Sequence, residues 1–533
     1  MRKKITILLT GFLVLSFALT GCGDTTSPQI GENEPDTEAK TDKKDTTDNN
    51  TTSSSKTDAS QEAANTKASS TKADELFTDR DFDTDYDENS CVKITFSDTD
   101  VQSDAASATV EGTTATITDE GSYLLSGACK DGMVIVDTDA KVQLILDGLD
   151  LCKDTSAALY VRSAGKVFVT LAEGSENSLS STGEYIAIDD SNIDGTIFSK
   201  DDLTLNGSGS LTVSSESGHG IVGKDDLKVT GGTYNISTAK HGISANNSIR
   251  IADGSFCATT GKDALHTEGY LTVLGGNFTL NADDDAFHAD GTLNIADGTI
   301  AIEQSYEGIE GQTINISGGD ISLTSSDDGI NAGSSLNLSG GDIQLTIGGD
   351  GLDSNGDLGM TGGTVTINGP TGRGDGMIDY ETGQATISGG TLLAAGSMDM
   401  AQNFGTDSTQ CSILLSTENQ SSGTAVTLTD SAGKELLSWT PATDFSGVVI
   451  SCPDLKVGES YTITAGSFTE TITLENTIYG SGMGGRGGMG GKGGMPTPPE
   501  NGTGDMPAPP ENDTGDTQAP PEDIFENEEG GSL

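Results

Sequence analysis

The chain has 533 residues and carries 27 Lys and Arg against 82 Asp and Glu, a net charge of −55. So acidic a chain is repelled by nucleic acid and by anionic membrane surfaces, which excludes both as partners, and it favours cations. Hydrophobic residues make up 33% of it and aromatics 5%, which supports a core but argues against a flat aromatic platform for crystalline sugar.

At the N-terminus, Arg2, Lys3 and Lys4 precede an apolar run from Ile5 to Leu19 that ends Leu19-Thr20-Gly21-Cys22. The run is at most about 15 residues, short of the roughly 20 that span a bilayer, so it reads as a signal peptide. Residues 1–22 resemble a bacterial lipoprotein signal. That resemblance implies cleavage before Cys22, acylation of its thiol, and an exported protein that meets the membrane only through this lipid anchor. Residues 23–76 are rich in Thr, Ser, Asp, Lys and Asn, hold almost no large apolar side chains, and are expected to be a disordered tether. No Cys-x-x-Cys occurs, which speaks against a zinc site. An exported chain permits disulfides, and Cys411–Cys452 and Cys129–Cys152 both stay open as pairings.

Residues 77–198 show irregular alternation and read as the N-terminal coils of a repeat array. Over 199–396 a glycine recurs at Gly232, Gly254, Gly276, Gly298, Gly319, Gly341 and Gly363, with steps of 22, 22, 22, 21, 22 and 22. Such a period marks a repeat architecture. Before each glycine stand alternating apolar pairs such as Leu227 and Val229 or Ile249 and Ile251. After it come Tyr234 and Ile236, or Phe256 and Ala258, and a third apolar position follows at Ile221, Ile243, Leu265, Phe287, Ile309, Ile330 and Leu352. Period-2 spacing marks strands with one buried face, so each repeat holds three short strands. No repeat has room for a helix, and a propeller blade needs nearly twice the length. The expected fold is all-β: a right-handed parallel β-helix of about 22 residues per coil, with like positions stacked about 4.8 Å apart.

The 22-residue step is lost over 397–478, where alternation persists at Ala425–Leu428, Gly447–Ile450 and Tyr461–Thr464. A small β cap is expected there, closing the open end of the solenoid. Residues 479–533 are Gly/Met-rich and then carry an acidic Pro repeat, Pro498-Pro499-Glu500, Pro509-Pro510-Glu511 and Pro520-Pro521-Glu522, which reads as a disordered solvated tail.

The chemistry gathers at the third strand of each repeat. His219, His241, Asp263, Asp285, Glu307, Asp328, Asp350 and Asp375 align in one column, and His266, His288, Glu310, Asn331 and Asp353 in a second, three positions on. Stacked carboxylates repel by roughly 3–4 kcal/mol per adjacent pair at an effective dielectric near 20. Few Lys or Arg stand beside the column, so a divalent cation is the simplest counter-charge. Oxygen donors without Cys suit Ca²⁺. The histidines are unusual Ca²⁺ ligands and are expected instead to hydrogen-bond the carboxylates. The candidate metal ligands are Asp263, Asp285, Glu307, Glu310, Asp328, Asp350 and Asp353, with Asp283 beside them and the pairs Asp201–Asp202 and Asp225–Asp226 from two Lys-Asp-Asp-Leu strings.

Several strings carry a family likeness: Phe77-Thr78-Asp79-Arg80-Asp81, Val142-Gln143-Leu144-Ile145-Leu146-Asp147-Gly148, Leu171-Ala172-Glu173-Gly174-Ser175-Glu176-Asn177 and Ile197-Phe198-Ser199-Lys200-Asp201-Asp202-Leu203. Over about residues 77–478 the chain resembles a family of exported bacterial carbohydrate-binding β-helix proteins, pectate-lyase-like in shape. The resemblance implies bound calcium, affinity for polysaccharides such as polygalacturonate and cellulose, and binding rather than catalysis by a monomeric cell-surface lipoprotein. His219 and His241 depart from it, standing where acidic residues are expected. Two other readings remain. A calcium-dependent pectate lyase needs a base, for which Lys262, Arg250 and Arg373 are the candidates. A structural or adhesive protein is suggested only by Arg373-Gly374-Asp375.

Overall fold

The computed structural model describes residues 76–480. The segments expected to be a signal peptide ending at Cys22, a tether and a C-terminal tail lie, up to residue 75 and from 481, outside the described residues. Within them the chain winds into a β-solenoid of about 12 turns, each close to 22 residues. Every regular coil gives one strand to each of three parallel sheets. In one coil these are Asp226–Val229 in the first sheet, Thr233–Thr238 in the second and Ile243–Ala245 in the third.

Register follows directly from the repeat. In the first sheet Leu227 faces Ile249, which faces Leu271. In the second, Tyr234 faces Phe256 and Phe256 faces Phe278. In the third, Ile243 faces Leu265 and Leu265 faces Phe287. These inward columns are buried throughout. Tyr234, Phe256 and Phe278 stack at 5.1 and 4.8 Å between ring centres. Because both edges of each inner strand pair with neighbouring coils, side chains in one column repeat the same environment, which is why the apolar pattern is so regular.

The recurring glycines sit at the corner between the first and second sheets, all with positive φ, from 82° at Gly363 to 138° at Gly254. There the chain turns against the coil before it. A Cβ on Gly341 would lie 3.1 Å from the carbonyl oxygens of Gly318 and Gly319, so left-handed backbone and close stacking both demand glycine. The single 21-residue step has a local cause. The chain is one residue shorter between Gly311 and Thr313 than at the matching corners of the coils before and after it, between the third and first sheets, and strand pairing resumes on either side.

At the start, Val92–Ser97 forms an antiparallel hairpin with Asp100–Ser103, as does Ala108–Glu111 with Thr114–Ile117. A short helix, Asp79–Phe82, straps the outer face of the first sheet. Its Asp81 is fully buried and accepts hydrogen bonds from Lys166 Nζ at 2.6 Å, Thr204 Oγ1 at 2.8 Å and Lys228 Nζ at 3.4 Å. One carboxylate thereby ties three successive coils, and Arg80 lies over the Phe168 ring at 4.4 Å. The Phe77–Asp81 string of the sequence is this strap.

At the other end, Thr391–Gly396 pairs antiparallel with Phe445–Ser451, which pairs antiparallel with Ser412–Gln420. A separate four-stranded antiparallel sheet, built from Val426–Asp430, Glu435–Trp439, Ser460–Ala465 and Phe468–Thr473, packs a second core against this edge. Ile478–Tyr479 adds a last parallel pairing to Ser412–Ile413, so ordered pairing runs past the expected end of the cap at 478. Cys129, Cys152, Cys411 and Cys452 are thiols. Cys129 faces Leu151 in the ladder, so it and Cys152 point to opposite sides of the sheet. Cys411 and Cys452 directly flank the Ser412–Ser451 pair.

Candidate functional site

The outer side of the third sheet changes character along the solenoid. In the early coils it is apolar: Ile135, Tyr160, Phe198 and Val222 follow one another and lie beneath the segment 182–194. Tyr160 donates to Asp189 at 2.9 Å, Arg162 bridges Asp189 and Asp137, and Tyr185 reaches Ser215 at 2.9 Å, which pins that segment down. From His219 onward the cover ends and the two polar columns begin.

Register sets out two columns. Ser244, His266, His288, Glu310, Asn331, Asp353 and Asp379 face one another in sequence. Beside them run His219, His241, Asp263, Asp285, Glu307, Asp328 and Asp350, each two residues before a paired apolar position. All four histidines of the chain form one ring stack: His219–His241 at 4.9 Å, His241–His266 at 4.3 Å and His266–His288 at 4.9 Å.

Two devices hold the carboxylates together. The first is backbone. The N–H of Asp285 donates to Asp263 at 3.3 Å, that of Glu307 to Asp285 at 3.2 Å, that of Asp350 to Asp328 at 2.6 Å and that of Gly376 to Asp350 at 2.5 Å. Each side chain thus accepts from the next coil. The second is histidine. His266 Nδ1 lies 2.7 Å from Asp263 Oδ2. His288 Nδ1 lies 3.0 Å from Asp285 and 2.7 Å from Glu310, and its Nε2 lies 3.1 Å from Asp290. The histidines therefore pair with the carboxylates, as expected.

The electrostatics split the face in two. Hydrogen bonds that His288 donates to Asp285 and Glu310 raise its pKa to about 11, so this imidazolium supplies counter-charge. Burial pushes Asp263 upward, but bonds to His241 and His266 outweigh it and hold its carboxyl well below the usual range. Burial, with the neighbouring His241 and Lys240, lowers His219 to about 3 and keeps it neutral. Toward the C-terminal coils the balance reverses. Burial, reinforced by neighbouring carboxylates, raises Glu307 to about 8, Asp328 to about 6, and Asp350 and Asp353 to about 7 each. Among the described residues no Lys or Arg forms an ion pair with these four; the neighbouring Lys262 pairs with Asp284 at 2.6 Å.

Among the described residues three sets bring a donor atom from each of three side chains within 4.8 Å of one another: His241, Asp263 and His266; Asp263, Asp285 and His288; Asp285, Glu307 and Glu310. Only the last is all oxygen, and its donor set fits a hard cation such as Ca²⁺.

The family model for carbohydrate-binding domain-containing proteins matches residues 111–376 and 306–473. The chain belongs to this family. A relative from Acetivibrio thermocellus, described as a carbohydrate-binding domain-containing protein, is 38% identical over 124 residues, which are 22% of this chain. The chain spans 43% of that relative's length. A solved structure described as a polysaccharide lyase-like protein from C. thermocellum, gadolinium derivative, is 25% identical, with a TM-score of 0.32 over 56% of this chain and 97% of its own.

Within this family member the twelve expected ligands fall into three groups. Asp285 meets Glu307 and Glu310 in one set and Asp263 in another. Asp328, Asp350 and Asp353 continue the same face without closing to the same degree. Asp283, Asp201, Asp202, Asp225 and Asp226 lie apart from those sets. Asp283 is exposed at the corner before the third sheet. Asp201 accepts from the Ala164 N–H at 2.9 Å, Asp225 from Asn247, and Asp226 from Ser248 at 2.8 Å and Arg250 at 3.3 Å. These last four serve the far corner, where the Lys-Asp-Asp-Leu strings turn into the first sheet.

The last coil corrects the sequence alignment. Leu352 faces Ile378, so the position after Asp350 in its column is Gly376, and Asp375 stands one residue off. Asp379, which the spacing of the Asp-Gly pairs does not reveal, continues the second column, faces Asp353 and accepts from Gln402. Counting back from the apolar Ile378, rather than from the Asp-Gly pair, finds it. Tyr306 and Tyr270 face solvent, 49% and 61% exposed; Tyr306 precedes Glu307 and leans on Asp327, whose hydrogen bond raises its pKa. Two of the base candidates are paired elsewhere: Asp284 raises the Lys262 pKa, and Arg250 pairs with Asp226 and donates to the Leu76 carbonyl.

Proposed function

We propose that the outer face of the third sheet, from Asp285 to Asp379, binds polysaccharide through Ca²⁺. Asp285, Glu307 and Glu310 are the first ligands, with Asp328, Asp350 and Asp353 extending the acidic strip. The observation that carries this reading is the all-oxygen cluster of Asp285, Glu307 and Glu310, with a donor atom from each within 4.8 Å of the others, continued along the face by stacked part-buried carboxylates that form no ion pair with Lys or Arg among the described residues. Such a row gains most from a cation whose remaining coordination positions face outward. A bound Ca²⁺ has room for six to eight oxygens, more than three side chains supply, so uronate carboxylates of an acidic glycan complete the shell. Polygalacturonate is the substrate class this favours. Cellulose, lacking carboxylates, would rely on hydrogen bonds and on Tyr306.

In the same reading Cys22 carries the lipid, residues 23–75 hold the solenoid off the membrane, and a monomer faces the cell exterior. The ion pairs of Lys262 and Arg250 favour binding over β-elimination. The test is polygalacturonate retention by the purified protein with Ca²⁺ and with chelator, alongside absorbance of unsaturated uronate. Retention that disappears with chelator and with Glu307→Gln plus Glu310→Gln, on a flat absorbance trace, supports the proposal. Retention indifferent to both overturns it.

A further inference from the structure

The histidine end of the face has a donor chemistry that Ca²⁺ does not explain. His241 Nδ1, which also accepts from the Asp263 N–H at 3.2 Å, lies 3.2 Å and His266 Nδ1 2.7 Å from the same oxygen, Oδ2 of Asp263. Ligands about 2.0–2.1 Å from a tetrahedral ion lie about 3.3 Å apart, and both nitrogen–oxygen distances here lie near that value, with one donor atom from each of the three side chains within 4.8 Å of the others. Two imidazole nitrogens and one carboxylate make a borderline donor set, suited to Zn²⁺-class ions rather than to an oxygen-seeking cation. The ring stack fixes both imidazoles, since each packs on the next coil's ring.

A second observation points into the same place. His219 Nδ1 and Asp194 Oδ1 are buried and have no hydrogen-bond partner. Buried polar atoms of this kind are costly to leave unsatisfied, and in a native structure they ask for a ligand, an ion or a water. His219 stacks on His241, and Asp194, His219, His241, His266 and Glu268, together with Lys224, line a common cleft of about 190 Å³. The missing Cys-x-x-Cys speaks only against a thiolate site, not against one of imidazole and carboxylate.

We propose that His241, Asp263 and His266 form a site for a divalent transition metal of the Zn²⁺ class, with His219 stacked on His241 from the preceding coil. His288, shared among Asp285, Glu310 and Asp290, divides it from the oxygen-only part of the strip. The solenoid thus sorts cations along one face by donor type. An ion here joins adjoining coils beside the lip of the 182–194 cover, so it acts as a clamp where the cover ends.

The test is calorimetric titration of Zn²⁺ into the full chain in the presence of millimolar Ca²⁺, with thermal unfolding and the visible spectrum of a Co²⁺ derivative as further readouts. Wild type is expected to take up one Zn²⁺ and to unfold at a higher temperature with it. His241→Asn plus His266→Gln weakens Zn²⁺ uptake on the order of 100-fold or more, since even supporting residues of a metal site are worth 10- to 100-fold. The same variant keeps its Ca²⁺-induced rise in unfolding temperature, which shows that it folds. Glu307→Gln plus Glu310→Gln reverses the pattern. Absence of Zn²⁺ uptake by the wild type, or uptake unchanged in the histidine variant, overturns the assignment. Either result leaves the Ca²⁺ reading standing, and loss of the Ca²⁺ effect alone would leave this one.

Discussion

Glu307→Gln isolates the cost of the acidic strip. Glu307 titrates at about 8 rather than 4.5 because burial and the nearby Glu310 and Asp285 disfavour its charge. The folded chain therefore binds this proton more tightly than the unfolded chain, and metal-free stability falls as pH rises from about 4.5 to about 8. Each pKa unit is worth about 1.4 kcal/mol, so a fully buried, isolated carboxyl with this change would lose about 5 kcal/mol. Solvent on its outer side and the proton shared among its neighbours reduce this to about 2 kcal/mol. Glutamine keeps the shape, can still accept from Asn331 Nδ2, which lies 3.0 Å from the native Glu307 carboxylate, and cannot ionise. In chelator, the variant should match wild type at pH 4 and exceed it at pH 8 by about 2 kcal/mol, a rise of a few degrees in unfolding temperature. With Ca²⁺ the ordering reverses, because wild type gains a ligand-bound state and the variant does not. Thermal unfolding at pH 4, 6 and 8, with chelator and with Ca²⁺, reads all of this. A variant no more stable than wild type at pH 8 in chelator, or one that responds to Ca²⁺ as wild type does, would refute the reasoning.

Ca²⁺ binding should release protons between about pH 6 and 8, because Glu307, Asp350 and Asp353 are partly protonated there without metal; calorimetry in two buffers of different ionisation enthalpy measures the number. Asp81→Ala should destabilise by about 3–5 kcal/mol, since it strands Lys166 and Lys228 without their buried partner, and limited proteolysis should then cut within residues 77–86. Gly341→Ala should cost about 1–3 kcal/mol through its positive φ and the stacked carbonyls of Gly318 and Gly319, measured by denaturant unfolding. Tyr306→Ala should weaken polygalacturonate retention by about fivefold, in line with the roughly 1 kcal/mol of an aromatic contact, while leaving Ca²⁺ uptake unchanged.

The glycine step and the alternating apolar positions determined the three-sheet coil and its register, because in a parallel solenoid the repeat length is the register: residues 22 apart must become neighbours. The same counting placed Asp263, Asp285, Glu307 and Glu310 on one face. What it could not reach were the corners, where residues enter or leave without disturbing the stacked strands. One such change hides Asp379 behind Asp375, and another gives the 21-residue step. Nor could local pattern show contacts between distant segments: Asp81 tying Lys166 to Lys228, the 182–194 cover that sets where the polar face begins, or Gln402 reaching Asp379. Charge state was likewise a tertiary decision. The same carboxylate column is held low where imidazoles meet it at Asp263 and driven high where only burial and like charge surround it at Glu307, and that difference depends on which side chains the coils stack within a few ångströms.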